Sequence, residues 1–137
     1  MKINNYLDST YLKTPQQSGL SEEETKEKVD ELTREAIENE FFEVMIRPNF
    51  VKEIKEYLLK NNSNVKVGTV IGFHEGTATI DQKYSEAQQA INDGADELDF
   101  VINYESYKKG DLETPKQEFI KCTQLGLENG KVVKWII

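Results

Sequence analysis

Apolar residues along this chain alternate between helical spacing and short continuous runs. From Ser21 to about Asn39 they recur every three or four positions, at Val29, Leu32 and Ala36. Ser21 followed by Glu24 has the form of a capping box, so the stretch predicts a helix. Phe42 to Ile46 is a strand candidate. Pro48 suits the first turn of a second helix with Val51, Ile54 and Leu58 on one face, ended by the polar cluster Asn61 to Asn64. Val65 to Ile71 is β-branched and predicts a second strand. Thr79 with Gln82 marks another capping box, and the helix it opens sets Ile80, Tyr84, Ala87 and Ile91 on one side, with Gly94 near its C-terminal cap. Ala95 to Ile102 reads as a third strand. Thr114, Pro115 and Gln117 open a last helix whose stripe is Ile120, Thr123 and Leu127. Gly130 closes it, and Lys131 to Ile137 is a fourth strand.

The order is therefore an N-terminal helix followed by four strands with a helix between each pair. Strands separated by helices imply parallel pairing with right-handed crossovers. Either an open α/β sheet or part of a (βα)8 barrel fits that pattern. A whole barrel takes about 250 residues and rarely fewer than about 200, so these 137 residues amount to roughly half of one.

Charge narrows the function classes. Seventeen Lys and Arg stand against 25 Asp and Glu, a net charge of −8. That balance argues against nucleic acid as a partner, because releasing counterions from phosphates needs a basic face. No apolar run is long enough to span a bilayer and no signal-peptide core is present, so the expectation is no membrane partner and a cytoplasmic location. One cysteine and one histidine exclude a disulfide framework and are too few to favour a thiolate or imidazole metal cage. Phosphate-loop, dinucleotide, zinc-protease and serine-hydrolase signatures are all absent.

Side chains alternate along a strand, so one face must meet the helices. On the third strand Leu98, Phe100 and Ile102 are the apolar set, which turns Glu97, Asp99 and Val101 inward. On the first, Val44 and Ile46 face the helices and Glu43, Met45 and Arg47 point in. On the fourth, Val133, Trp135 and Ile137 face out, leaving Val132, Lys134 and Ile136 inside. The second strand is ambiguous; Val65, Val67, Thr69 and Ile71 make the better helix face. Interior charges must be paired or hydrogen-bonded. Asp99 and Lys134 on neighbouring strands form either a structural ion pair or an acid/base couple. Two features favour function. Asp99 lies near the C-terminal end of its strand, where such folds build sites, and lysine is the residue that burial and cationic neighbours can push to a useful pKa.

Several segments together resemble one family. Leu7 to Lys13, reading LDSTYLK, is similar to the N-terminal DxTxLK segment of deoxyribose-phosphate aldolases. Val44 to Pro48, Val67 to Phe73 with Gly76, and Lys131 to Ile137 resemble their strands, and Gly94 to Val101 is the most specific match. The resemblance implies a class I aldolase on a TIM barrel that reversibly cleaves 2-deoxyribose 5-phosphate into glyceraldehyde 3-phosphate and acetaldehyde. It implies a lysine Schiff base and no metal or organic cofactor. By motif, Asp99 and Lys134 match the family's proton-relay aspartate and lysine, and Asp8 and Thr10 match residues near the substrate. Two positions depart from the pattern. Met45 stands where the family often has cysteine, and His74 replaces the proline after Phe73.

The resemblance also places the Schiff-base lysine on the sixth strand, its partner lysine on the seventh and the phosphate site in the last loops. The expectation is thus a single truncated barrel domain over residues 1–137, strands one to four of eight, inactive alone. Its partners would be a small phosphorylated sugar in the intact enzyme, and a second copy or the missing C-terminal half, since unpaired edges invite association. Trp135 would lack the cover of a following helix. The alternative is a non-catalytic half-barrel or self-associating binding module.

Overall fold

The computed structural model describes residues 2–137. Among them, five strands form one parallel sheet: β1 (Asp8–Tyr11), β2 (Glu43–Ile46), β3 (Lys66–Ile71), β4 (Glu97–Val101) and β5 (Val132–Ile136). The helices are α1 (Pro15–Ser18), α2 (Glu22–Glu38), α3 (Val51–Lys60), α4 (Ile80–Asn92), α5 (Tyr104–Lys108) and α6 (Glu113–Glu128). A 3-10 turn, Pro48–Phe50, leads into α3, as its proline suggested, and another, Ile3–Tyr6, precedes β1. The capping boxes form as read: Ser21 and Glu24 exchange bonds of 2.8 and 3.1 Å, and Thr79 and Gln82 bonds of 2.8 and 3.2 Å.

Strand order decides between the two α/β architectures. The strands lie in sequence order, β1-β2-β3-β4-β5, every neighbouring pair parallel. A doubly wound sheet reverses direction at a switch point; this one never does, which is the order of a barrel segment. One apolar core binds the long helices to the sheet. It takes Val44, Ile46, Val67, Ile71, Leu98 and Phe100 from the strands and Val29, Ile54, Leu58 and Ala87 from the helices. The residues alternating with that strand set, among them Glu43, Gly68, Glu97, Asp99 and Lys134, therefore occupy the opposite face.

Four details differ from the sequence reading. The sheet has one strand more, because Asp8–Tyr11 pairs with β2. This strand is polar and only four residues long, so it carries no apolar alternation, and its partner lies 35 residues away. It moves Asp99 to the fourth strand and Lys134 to the fifth. In α6 the buried line is Glu118, Cys122 and Leu125, while Ile120 and Leu127 are exposed; α4 keeps Ala87 in the core with Tyr84 and Ile91 packed against it, as read, and adds Lys83 and Ala90. Both helices turn their smaller or charge-paired residues inward, because Lys83 and Glu118 bond to each other between them. Trp135 is not bare: it lies 4.2 Å from the ring of Phe119 on α6 and 5.1 Å from Phe100, and its indole N–H donates to Thr123 Oγ1 at 3.0 Å. Ile137, expected on the helix side, lies beyond β5 and is exposed.

Candidate active site

The non-core face of the sheet gathers charge at its centre. Asp99 is directly opposite Lys134 in the β4–β5 register, with Val70 of β3 on its other side. Glu97 pairs with Gly68 and Val132, and Asp8 pairs with Glu43 across β1 and β2. Four carboxyl groups from three strands thus surround one ammonium from a fourth.

Lys134 does not close on Asp99. Its Nζ lies 2.5 Å from Glu97 Oε1 and 3.7 Å from Asp8 Oδ2. Glu97 is buried, whereas Lys134 and Asp8 are partly exposed. The sequence reading turned Glu97 inward without giving it a role, and the structure makes it the lysine's nearest counter-charge. Glu43 is fully buried, and neither of its carboxylate oxygens has a hydrogen-bond partner, nor does Oδ1 of Asp99.

The environments set the protonation states. Burial pushes the Glu43 carboxyl up to about 9, and the charges of Glu97 and Asp8 reinforce it. Burial likewise lifts Asp99 to about 6, with Glu97 adding to the rise and Lys134 partly offsetting it. Burial alone would lower Lys134, but contact with Glu97 and the charges of Asp99 and Asp8 outweigh it, so its pKa stands above the ordinary lysine value. Near neutrality the cluster therefore combines a neutral Glu43, a fixed ammonium and an Asp99 carboxyl in both protonation states. An acid that exchanges its proton at working pH is what general acid–base chemistry requires.

Asp8, Glu43 and Glu97 bring carboxylate oxygens within 4.8 Å of one another, close enough to grip a cation. The Lys134 ammonium already meets two of the three. Thr10 shares the face of Asp8 and is exposed. It lines a groove of about 640 Å³ with Lys13, Gln17, Phe73 and His74 at the C-terminal side of the sheet. Arg47, just beyond β2, closes that side, its Nε donating to the Leu12 carbonyl at 2.7 Å and its guanidinium lying 4.7 Å from the Phe73 ring centre. His74 is exposed and meets Phe73 edge-on. Met45 is buried beside this cluster and can supply no thiolate.

Residues 7–130 match the model of the DeoC/LacD family aldolases. Deoxyribose-phosphate aldolase of Lactiplantibacillus plantarum is 41% identical over 137 residues, covering all of this chain and 59% of the relative. The enzyme of the same name from Thermococcus kodakarensis is 40% identical over 136 residues, covering 99% of this chain and 57% of its own length. Among solved structures, the tetrameric deoxyribose phosphate aldolase of Aeropyrum pernix superimposes with a TM-score of 0.79 at 31% identity, over 97% of this chain and 51% of that one. The chain thus spans between half and three-fifths of the proteins it resembles. This agrees with a half-barrel whose strands run in sequence order.

Proposed function

The chain belongs to the DeoC/LacD family of aldolases, and from that premise we propose that it supplies the proton-relay half of a deoxyribose-phosphate aldolase. The reaction is reversible cleavage of 2-deoxyribose 5-phosphate to glyceraldehyde 3-phosphate and acetaldehyde through a lysine Schiff base. One observation carries the reading: Asp99, lifted to about 6, stands opposite Lys134 at the centre of the charged face.

Forming and dehydrating a carbinolamine moves protons at carbon–oxygen bonds. A carboxyl that titrates near neutrality beside a permanent ammonium can pass them through a water. Asp99 is assigned that exchange. Lys134, locked against Glu97, keeps positive charge beside it and stays too basic to act as the free amine nucleophile. Asp8 and Thr10, on β1 at the rim of the same face, are assigned the substrate contacts that the family resemblance implies. By family resemblance the nucleophilic lysine belongs to a sixth strand, beyond the five described here. Catalysis then requires a C-terminal complement seated on the charged face and on the open edge of β5.

Borohydride trapping with deoxyribose 5-phosphate tests the proposal. An adduct that forms only when the C-terminal half is added supports it, and Asp99→Asn should then abolish most of the trapping. Absence of an adduct in both conditions favours a non-catalytic binding module. An adduct on this chain alone would overturn the assignment of its lysines.

A further inference from the structure

Outside the charged face, the protein buries a second pair of ionic side chains. Lys83 of α4 and Glu118 of α6 are both fully buried. Lys83 Nζ donates to Glu118 Oε1 at 2.7 Å and to the Val101 carbonyl at 2.8 Å. Glu118 Oε2 accepts the Asn103 N–H at 2.9 Å. The pair therefore joins two outer helices and also grips the backbone at the C-terminal end of β4, two and four residues beyond Asp99.

Lys83 also reaches the neighbouring loop. Gly72 follows β3 with φ +67°, and a Cβ there would stand 2.9 Å from Lys83 Cε, so the lysine stem runs directly beneath this turn. The Gly72 N–H is held by Glu86 Oε2 of α4 at 3.0 Å. Gly76, also at φ +67°, lies so close to the Ile102 carbonyl that no side chain fits between them. The loops leaving β3 and β4 are thereby tied to each other, and through Lys83 and Glu118 to the helix layer.

Packing does not explain this arrangement. Two apolar residues of similar volume would join α4 to α6 without desolvating two charges, and such replacements are often neutral or stabilising. What they cannot do is satisfy the Val101 carbonyl and the Asn103 amide at the strand's end. We propose that Lys83 and Glu118 are positioning residues: their ion pair fixes the backbone at Val101 to Asn103 and so holds Asp99 in place in the site. The inference rests on Asp99 having the role assigned above, but its test needs no substrate.

The test variant is Lys83→Met with Glu118→Leu, which exchanges the pair for apolar residues and keeps the helices in contact. With the circular dichroism spectrum preserved, hydrogen exchange at the Asn103 amide should quicken about tenfold or more, since its charged acceptor is gone. The Asp99 carboxyl titration, followed by carbon NMR, should move down toward the ordinary aspartate range. Glu118→Gln keeps one acceptor oxygen where two are used. Paired with Lys83→Met, so that no buried ammonium is left without its counter-charge, it should shift both readouts less and in the same direction, and that variant decides the matter if the apolar double variant does not fold. An unmoved Asp99 midpoint in a folded variant overturns the proposal, whether or not exchange at Asn103 has quickened, because the pair is then only structural. Borohydride trapping by the unaltered chain with its complement is read separately, so failure of the aldolase reading would not be mistaken for failure here.

Discussion

Gly68 leaves empty the space that the Glu43 carboxyl fills. A Cβ on this β3 residue would stand 2.5 Å from Glu43 Oε1 and 2.5 Å from Met45 Cε, both on β2. The glycine is needed for room, and its backbone is ordinary strand. Gly68→Ala should cost about 1–3 kcal/mol through overpacking. Glu43→Ala removes one of the two obstacles, so the double variant should be more stable than the sum of the single changes predicts, by about 0.5–3 kcal/mol. Urea denaturation of the four proteins measures this, and simple additivity would show that Glu43 is not what Gly68 accommodates.

The same buried carboxyl sets a pH dependence. Glu43 goes from an ordinary 4.5 to about 9 on folding, so between those values the native state holds a proton that the unfolded chain releases. Stability must then fall as pH rises through that window. Asp99, raised from 3.8 to about 6, acts in the same direction over the lower part. The Lys134 contribution has the opposite range: it is complete below 10.5 and lost only above it. Surface carboxyls held low by caps and ion pairs, such as Glu24 and Asp81, act below their ordinary 4.5 and 3.8 and leave this window alone. The urea midpoint should be higher at pH 5 than at pH 8, and Glu43→Gln should flatten the upper part of the slope. A midpoint that climbs with pH in the unaltered chain would contradict the burial of a neutral Glu43.

What could be read from the residues alone follows a physical division. Leu98 and Phe100 declare the core side of β4, so the inward direction of Glu97 and Asp99 follows from alternation. The position of Lys134 opposite Asp99 follows once the strands are parallel. Three things depended on contacts that leave no local mark. The pairing of β1 rests on partners 35 positions away in a polar segment. Burial of Glu118 makes sense only with Lys83, also 35 residues away. Register put Lys134 opposite Asp99, but its flexible stem carries the ammonium to Glu97 and Asp8 instead.

Asp96 joins three strands at the entrance to β4. Its Oδ2 accepts both Lys55 Nζ at 2.6 Å and the Val67 N–H at 3.0 Å, and its own N–H donates to the Val67 carbonyl at 2.7 Å. Its carbonyl accepts the Val132 N–H at 3.1 Å. Asp96→Ala strips the acceptor from an amide between strands and should cost about 1–3 kcal/mol. Asp96→Asn keeps an oxygen for Val67 and should cost less. Lys55→Met should cost about 1 kcal/mol or less, because the ion pair is partly open to solvent. Equal losses from Asp96→Ala and Lys55→Met would mean that the ion pair, and not the bond to Val67, holds this junction.

Trp135 reports on how α6 closes over the sheet. As the chain's one tryptophan, it gives an indole emission free of other tryptophans when excited to the red of the six tyrosines. Phe100 stacks on one side and Phe119 covers another, while Thr123 holds the indole N–H. Phe119 is itself 36% exposed, so Phe119→Ala should cost less than the about 3–5 kcal/mol of a fully buried phenylalanine. Its main effect should be to admit water to the indole, shifting emission to the red. A complement seated on the opposite, charged face should leave that emission nearly unchanged while covering Val132 and Ile136, which point to that side and are exposed. A large Trp135 shift on adding the C-terminal half would instead mean that the partner docks over α6 and the helix layer, and the orientation given to the open sheet would have to be reversed.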